Sequence, residues 1–203
     1  MEWYALENVV QEQSLEYLRQ RIHTANSPEY IFKALGWNKS PQFNRAEIDE
    51  FVDYSDLNDR RLKEMEIIAG ACVNKDSNET VILEIGTAYG RATKYMSLNA
   101  PHSKIYTINI PPEEFDEGGN YTTFSLPVDK IGVEYRDMGC ENVIQILENT
   151  LHWTPSMNHI DVAFIDGSHD SDFVYQDTLK VLSKCKPGSI IIWHDFNPNM
   201  IYQ

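Results

Sequence analysis

Two short polar clusters, each at the end of an apolar run, hold the side chains best suited to chemistry. Asp166-Gly-Ser-His169 follows the run that begins at Ile160, and His194-Asp195 follows the run that begins at Ser189. Carboxylates and imidazoles act as general bases and as ligands of divalent cations. If the two runs form adjacent parallel strands, both clusters reach the same sheet edge. We therefore predict a reaction centre made of Asp166, His169, His194 and Asp195.

The sequence leaves three interpretations of this cluster open. In the first, Asp166, His194 and Asp195 bind a divalent cation: the oxygen ligands suit Mg²⁺, and a histidine also tolerates Mn²⁺ or Zn²⁺. In the second, His169 is a general base, because a histidine ordinarily titrates near the working pH. These two roles are not exclusive. In the third, His194 and Asp195 only hydrogen-bond a neighbouring loop.

A loop with glycines four residues apart follows another apolar run, in Val81-Ile-Leu-Glu-Ile-Gly-Thr-Ala-Tyr-Gly-Arg-Ala-Thr93. Gly86 and Gly90 allow a sharp turn and a close approach of the backbone to a ligand. A helix that begins near Gly90 would direct free N–H groups into the same crevice. Glu84, at the end of the run, favours a cationic amine or hydroxyl groups over a pyrophosphate. The loop also lacks Gly-x-Gly-x-x-Gly, which disfavours a nicotinamide-dependent oxidoreductase.

The elements that position these clusters alternate between strand and helix. The apolar runs show no period-two alternation, which is typical of parallel strands covered on both faces. Strands alternating with helices predict an α/β doubly wound, mostly parallel sheet. The segment from Pro111 to Asp129 is longer than an ordinary connection and is predicted to be a lid. We place strands at 81–85, 105–110, 142–147, 160–165 and 189–193, and helices at 90–99 and 171–185.

The N-terminal part predicts helices that pack on this sheet. Residues 1–56 are interpreted as a helical N-terminal cap and residues 57–203 as the Rossmann-like domain. Leu15, Leu18 and Ile22 share one helical face, a second helix begins at Pro28 and ends at Gly36, and a third runs from Asp56 to Cys72. In the third helix Leu62, Met65, Ile68 and Ala69 are expected to face the sheet.

Size and charge limit the function classes. A chain of 203 residues is long enough for one well-buried domain. The formal charge of −14 argues against nucleic acid and anionic membranes as partners and is compatible with small neutral or cationic substrates. Cys72, Cys140 and Cys185 lack metal-ligand spacing and indicate free thiols in a reducing cytoplasm.

Residues 79 to 198 resemble a class I S-adenosylmethionine-dependent methyltransferase. The most specific part of this resemblance is the pairing of Phe164-Ile-Asp-Gly-Ser-His169 with Ile190-Ile-Ile-Trp-His-Asp195. It resembles the branch with an Ile-Asp-Gly-Ser-His strand end and a Pro-Gly turn before a His-Asp strand end. The family implies a seven-stranded Rossmann-like sheet, so two C-terminal strands are expected to be missing here. Such an open sheet edge would favour a homodimer.

The resemblance also implies a cofactor site. Glu84 would contact the ammonium group of S-adenosylmethionine, and Thr93 its carboxylate. Asn109 stands where an acid usually binds the ribose hydroxyls, and Asn149 where an aspartate usually binds the adenine amine, so both positions lose a negative charge. The implied cofactor-binding residues are Glu84, Gly86, Thr87, Ala88, Tyr89, Gly90, Thr93, Asn109, Asn149, Thr150, Asp166 and Gly167.

The resulting interpretation is methyl transfer from S-adenosylmethionine to a hydroxyl oxygen of a small molecule, such as a sugar or a natural product. Asp166, His169 and His194 would be the catalytic residues. Catechol-type relatives bind a metal at comparable strand ends and carry a base three residues after the aspartate, which matches Mg²⁺ assistance and His169. The alternative is a non-catalytic module that binds S-adenosylmethionine within a larger assembly.

Overall fold

The structure is a computed structural model that describes residues 28–43, 55–115 and 125–194, with only the backbone of residues 55–60. Most of the predicted N-terminal cap, including Leu15, Leu18 and Ile22, lies outside the described residues, as do residues 116–124 of the predicted lid. Asp195 does so as well. The helices are α1 Pro28–Leu35, α2 Ser55–Lys75, α3 Arg91–Asn99, α4 Val133–Asp137 and α5 Ser171–Leu182, and the strands are β1 Val81–Ile85, β2 Lys104–Asn109, β3 Val143–Leu147, β4 Ile160–Ile165 and β5 Cys185–Trp193.

The five described strands form one parallel sheet in the order β3-β2-β1-β4-β5, which confirms the predicted fold class. The chain moves outward from β1 to β3 and then returns to place β4 on the other side of β1. This reversal opens a crevice at the carboxyl ends of β1 and β4, where open α/β sheets bind ligands. In the register of these two strands Glu84 pairs with Phe164 and Ile85 pairs with Ile165.

Both faces of the sheet are covered, which explains the unbroken apolar runs of β1 and β4. On one face α2 and α3 contribute Ile68, Cys72 and Met96 to a core that includes Ile82 and Phe164. The other face packs Leu83, Ile85, Ile108, Trp153, Met157, Ile160, Ala163, Ile165 and Val181 together. Leu62 and Met65 are buried against Tyr95, in a satellite of the first core. No helix among the described residues is both long and apolar enough to cross a bilayer.

Two local expectations were wrong. The Pro-Gly turn predicted before β5 lies inside that strand as a bulge, because Ile160 pairs with Cys185 whereas Val162 pairs with Ile190. The hydroxyl of Ser189 stabilises the bulge by donating to the carbonyl of Ile160 at 2.6 Å. The segment between β2 and β3, predicted to be irregular, contains the short helix α4.

Gly86→Ala tests the contact between β1 and β4. Gly86 has φ +102°, and an added Cβ would lie 1.9 Å from the carbonyl oxygen of Asp166. We expect a loss of more than about 3 kcal/mol of unfolding free energy in urea denaturation. Gly139→Ala is the matched control, because Gly139 also has positive φ, +72°, but a Cβ there meets nothing within 4 Å. It should cost only about 1–2 kcal/mol of backbone strain. Equal losses of unfolding free energy in the two variants would contradict the expected collision between a Cβ at position 86 and Asp166.

Candidate functional site

The loop from Gly86 to Gly90 crosses the carboxyl end of the sheet and is held there by backbone hydrogen bonds. The amides of Gly86 and Thr87 both donate to the carbonyl of Ile108, at 2.8 and 3.2 Å. Ala88 adopts φ +46°, and Gly90 has φ +83° directly before α3. Such left-handed conformations are unusual outside glycine, so the loop has a specific shape fixed by its neighbours.

Glu84 is fully buried beneath this loop. Its Oε2 accepts hydrogen bonds from the hydroxyls of Thr93 and Thr107, whereas its Oε1 has no partner among the described residues. Burial raises the pKa of the Glu84 carboxyl to about 8, against the opposing effect of the two threonine hydrogen bonds. An unpartnered buried carboxylate oxygen is costly and is relieved by a cationic or hydrogen-bonding ligand.

A chain of polar side chains leads from the third strand to Glu84. Thr107 donates to Glu84 at 2.5 Å, so its oxygen accepts from Thr87, 2.7 Å away. Thr87 in turn accepts from the amide of Gln145 at 2.9 Å, and Gln145 accepts from the hydroxyl of Tyr135 at 3.1 Å. All donors therefore point toward the carboxylate. Sequence analysis missed Thr107 and Gln145, for which polar positions inside apolar strands were the available signal.

The outer side of the glycine loop is fixed by α4. The amides of Gly132 and Glu134 donate to the carbonyls of Ala88 and Tyr89, at 2.8 and 2.9 Å. The carboxylate of Glu134 binds the guanidinium of Arg91 through two hydrogen bonds, of 3.1 and 2.8 Å. The missed helix α4 thus determines the conformation of residues predicted to bind the cofactor.

Asp166, His169 and His194 come together at the ends of β4 and β5, as predicted. One potential ligand atom from each residue lies within 4.8 Å of the others. Oδ1 of Asp166 is 3.8 Å from Nε2 of His169 and 3.7 Å from Nε2 of His194. The amide of Asp166 also donates to the carbonyl of Ile85 at 2.8 Å, which joins this cluster to the end of β1. The arrangement brings His169 into the same group as two of the three predicted metal ligands.

Sequence analysis missed one member of this cluster, Glu64 of α2. Its two carboxylate oxygens lie 2.8 and 2.9 Å from Nδ1 of His194. A glutamate in a charged helical segment carries no local signal of such a contact, since the two residues are 130 positions apart in the sequence.

The residues predicted to bind the nucleoside are already engaged with the protein. Oδ1 of Asn109 accepts from the amide of Ala88 at 3.0 Å, and its Nδ2 donates to the carbonyl of Ile110 at 2.9 Å. Oδ1 of Asn149 accepts from the amide of Leu151 at 3.0 Å. Thr93, predicted to contact a cofactor carboxylate, is fully buried, and its hydroxyl donates to Glu84. In this structure these side chains shape the loops of the site.

Gly167 and Thr150 lie beside a buried acid of α5. A Cβ on Gly167 would be 3.7 Å from the carboxylate of Asp177, which forms a side-chain hydrogen bond with Thr150. Burial raises the pKa of Asp177 to about 6, and the Thr150 hydrogen bond and Lys180 oppose this shift. Asp177 is therefore close to both the loop that follows β3 and the loop that follows β4.

The family model for the methyltransferase domain matches residues 83–196, which is more than half of the chain. The chain therefore belongs to this family, and the Rossmann-like fold and methyltransferase class predicted from the sequence are confirmed. No curated protein matches the chain.

Solved structures of methyltransferases are similar to this chain at low sequence identity. Precorrin-6y C5,15-methyltransferase from Geobacter metallireducens is similar, with 16% identity and a TM-score of 0.50, over 71% of this chain and 68% of that one. An rRNA methylase from Streptococcus thermophilus has 14% identity and a TM-score of 0.48, over 66% and 72% of the two chains. The N-methyltransferase NodS from Bradyrhizobium japonicum has 14% identity and a TM-score of 0.47, over 70% of each chain. At 16% identity, the similarity to the Geobacter metallireducens enzyme shows the fold alone.

Glu84→Gln tests the buried carboxyl through stability. Between the usual glutamate pKa of 4.5 and the raised value of about 8, the folded protein keeps a proton that the unfolded chain releases. The free energy of unfolding should therefore fall as pH rises across this range, by up to about 1.4 kcal/mol per unit from this group. Urea denaturation from pH 5 to 8 should show a flatter profile for Glu84→Gln. The control Glu79→Gln, at an exposed glutamate, should keep the wild-type dependence of unfolding free energy on pH. The same pH dependence in all three proteins would contradict the raised pKa of Glu84.

Proposed function

We propose that the protein transfers a methyl group from S-adenosylmethionine to a hydroxyl oxygen of a small molecule. The observation that carries this proposal is the cluster of Asp166, His169 and His194 at the strand ends beside the glycine loop. A hydroxyl is a poor nucleophile until its proton is removed, and imidazole and carboxylate groups are suited to that step. An amine acceptor can react through its lone pair and needs such a cluster less.

The residues around Glu84 fit the cofactor. Oε1 of Glu84 is buried without a partner among the described residues, and the ammonium group of S-adenosylmethionine would supply both a charge and donors. When bound, the cofactor supplies an electrophilic methyl group on a sulfonium. Its methionine part would be enclosed by the glycine loop, residues Gly86, Thr87, Ala88, Tyr89 and Gly90. Its nucleoside part would be lined by Asn109, Asn149, Thr150 and Gly167. Asp166 would lie between the cofactor and the acceptor.

His169 is the proposed general base. It is about half exposed, and its Nε2 lies 3.8 Å from Asp166. The neighbouring carboxylate stabilises the imidazolium that forms when the ring takes the acceptor proton. The exposed side of the ring then allows the proton to leave for solvent. Transfer itself requires only that the acceptor oxygen be aligned with the methyl carbon, which the rigid strand ends favour.

Asp166 and His194 would also hold a divalent cation, with Asp195 as the predicted third ligand. Carboxylate ligands alone favour Mg²⁺. Because this set of ligands also includes a histidine nitrogen, it would bind Mn²⁺ or Zn²⁺ as well. A cation at this position lowers the pKa of a bound hydroxyl.

The formal charge of −14 favours small acceptors over nucleic acid, and sugar hydroxyls are the first class to test. Among the described strands β5 is at one edge of the sheet, and pairing of this edge with a second copy is the proposed route to a homodimer.

A non-catalytic module that binds S-adenosylmethionine is the second candidate. It is favoured by Asn109, whose side-chain oxygen accepts from the amide of Ala88 and whose side-chain nitrogen donates to the carbonyl of Ile110. Ribose hydroxyls would have to share or displace these hydrogen bonds. Tight cofactor binding without turnover on any acceptor would support this candidate.

Cofactor binding is tested by titration calorimetry with S-adenosylmethionine and S-adenosylhomocysteine, in Mg²⁺ and in EDTA. Ionisation of Glu84 should strengthen binding as pH rises from about 5.5 to about 7.5, the range in which the cofactor amine stays protonated. The gain should approach tenfold per pH unit. Glu84→Gln should bind at least about tenfold more weakly at pH 7.5 and lose this dependence, whereas Glu79→Gln should match the wild type. No binding by the wild type would overturn the proposal.

Methyl transfer is tested with a labelled cofactor against sugar and phenol hydroxyls, amines and RNA. His169→Asn should lower kcat by roughly 10²–10⁴-fold while cofactor affinity stays within twofold. His152→Asn, at an exposed histidine, is the control and should retain wild-type turnover. Loss of turnover in EDTA and recovery with Mg²⁺ would support the cation. Transfer to amines or RNA but not to hydroxyls would contradict the proposed acceptor.

A further inference from the structure

The contact between Glu64 and His194 determines which ring nitrogen carries a proton. Both carboxylate oxygens of Glu64 lie within hydrogen-bond distance of Nδ1, at 2.8 and 2.9 Å. An ionised carboxylate can only accept, so Nδ1 is the donor. In a neutral imidazole the other nitrogen then carries the lone pair. That nitrogen, Nε2, is the one that faces Asp166, at 3.7 Å.

Two further restraints hold the ring of His194. Its backbone amide donates to the carbonyl of Ile165 at 3.0 Å, which fixes the start of the side chain at the end of β5. The ring and that of Phe164 form a T-shaped pair, with centroids 6.4 Å apart and planes at 90°. With Glu64 on Nδ1, rotation about the side-chain bonds would break at least one of these contacts. The ring therefore presents Nε2 to the cluster in a single orientation.

The helix that carries Glu64, α2, contacts β5 and the residue after it at two points. Near the carboxyl end of β5 the contact is the Glu64–His194 pair, and at the bulge the amine of Lys75 donates to the carbonyl of Gly188 at 2.8 Å. Lys75 is eleven positions after Glu64, which corresponds to a rise of about 16 Å along a helix, and His194 is six positions after Gly188, which corresponds to about 20 Å along a strand. Helix and strand thus run side by side, which keeps Glu64 over the site.

We propose that Glu64 is a positioning residue that acts through His194. It holds a proton on Nδ1 and orients the ring so that Nε2 faces Asp166 and His169. This rests on the proposed function, which it deepens: the same nitrogen serves as a ligand for a divalent cation or as a hydrogen-bond acceptor for the substrate hydroxyl. Carboxylates that bond the distal nitrogen of a ligating histidine raise its basicity and fix its direction in the same way.

The tautomer is measured by long-range ¹H–¹⁵N correlation NMR on the ¹⁵N-labelled full chain, with His194→Asn to assign the signal. The wild type should show the Nδ1–H form of His194. Glu64→Ala should shift the ring largely to the Nε2–H form, whereas Glu64→Gln, which keeps an acceptor oxygen, should retain Nδ1–H. Glu66→Gln removes a carboxylate from the opposite side of the same helix and should leave the ring unchanged. An Nε2–H ring in the wild type, or no change in Glu64→Ala, would overturn the proposal.

Turnover separates positioning from a purely structural effect. Glu64→Ala should lower kcat by about 10–100-fold, with cofactor affinity within twofold and an altered pH–rate profile, and Glu64→Gln should recover part of the loss. Equal kcat in Glu64→Ala and the wild type would overturn the positioning role. The NMR measurement needs neither cofactor nor acceptor, so failure of the proposed function would leave the tautomer result intact. Where circular dichroism shows that the Glu64→Ala chain has not folded, Glu64→Leu, which also lacks an acceptor oxygen, takes its place with the same expected outcomes.

Discussion

The site depends on one costly group, the carboxyl of Glu84 buried at the carboxyl end of the central strand. A buried carboxyl is tolerated only with hydrogen-bond donors, and here the donors come from a directed chain that begins at Tyr135 and ends at Thr107. That chain passes through β3 and β2, so it joins three neighbouring strands at the ligand edge. The loop that follows β1 is therefore shaped by the requirements of one acid.

The same arrangement leaves one oxygen of Glu84 without a partner among the described residues. Stability alone would favour satisfying it, since an unsatisfied buried acceptor costs about 1–3 kcal/mol. An unpartnered oxygen beside a loop whose conformation is fixed by Glu134 and Ile108 is what a preorganised ligand site requires. A ligand with a cationic amine regains this energy on binding, so folding stability and cofactor affinity oppose each other at Glu84.

Sequence patterns predicted the sheet well because β1 and β4 are buried on both faces, which leaves their apolar runs unbroken. They failed where tertiary contacts override local signals. Pro187 and Gly188 resemble a turn between elements, yet the hydroxyl of Ser189 incorporates them into β5 as a bulge. The grouping of Asp166, His169 and His194 followed from parallel strand ends, whereas Glu64 could not be predicted, because its role arises only when α2 packs along β5.

The two histidines of the cluster differ in ways that match different tasks. His194 is restrained by Glu64 and Phe164 and has a side chain about one-fifth exposed, whereas His169 is about half exposed. A base must release its proton to solvent in every turnover, which favours the more exposed ring. A ligand or a hydrogen-bond acceptor must keep one nitrogen unprotonated and fixed in direction, which favours the restrained ring. The proposed roles, base for His169 and fixed acceptor for His194, therefore follow from the same difference in restraint.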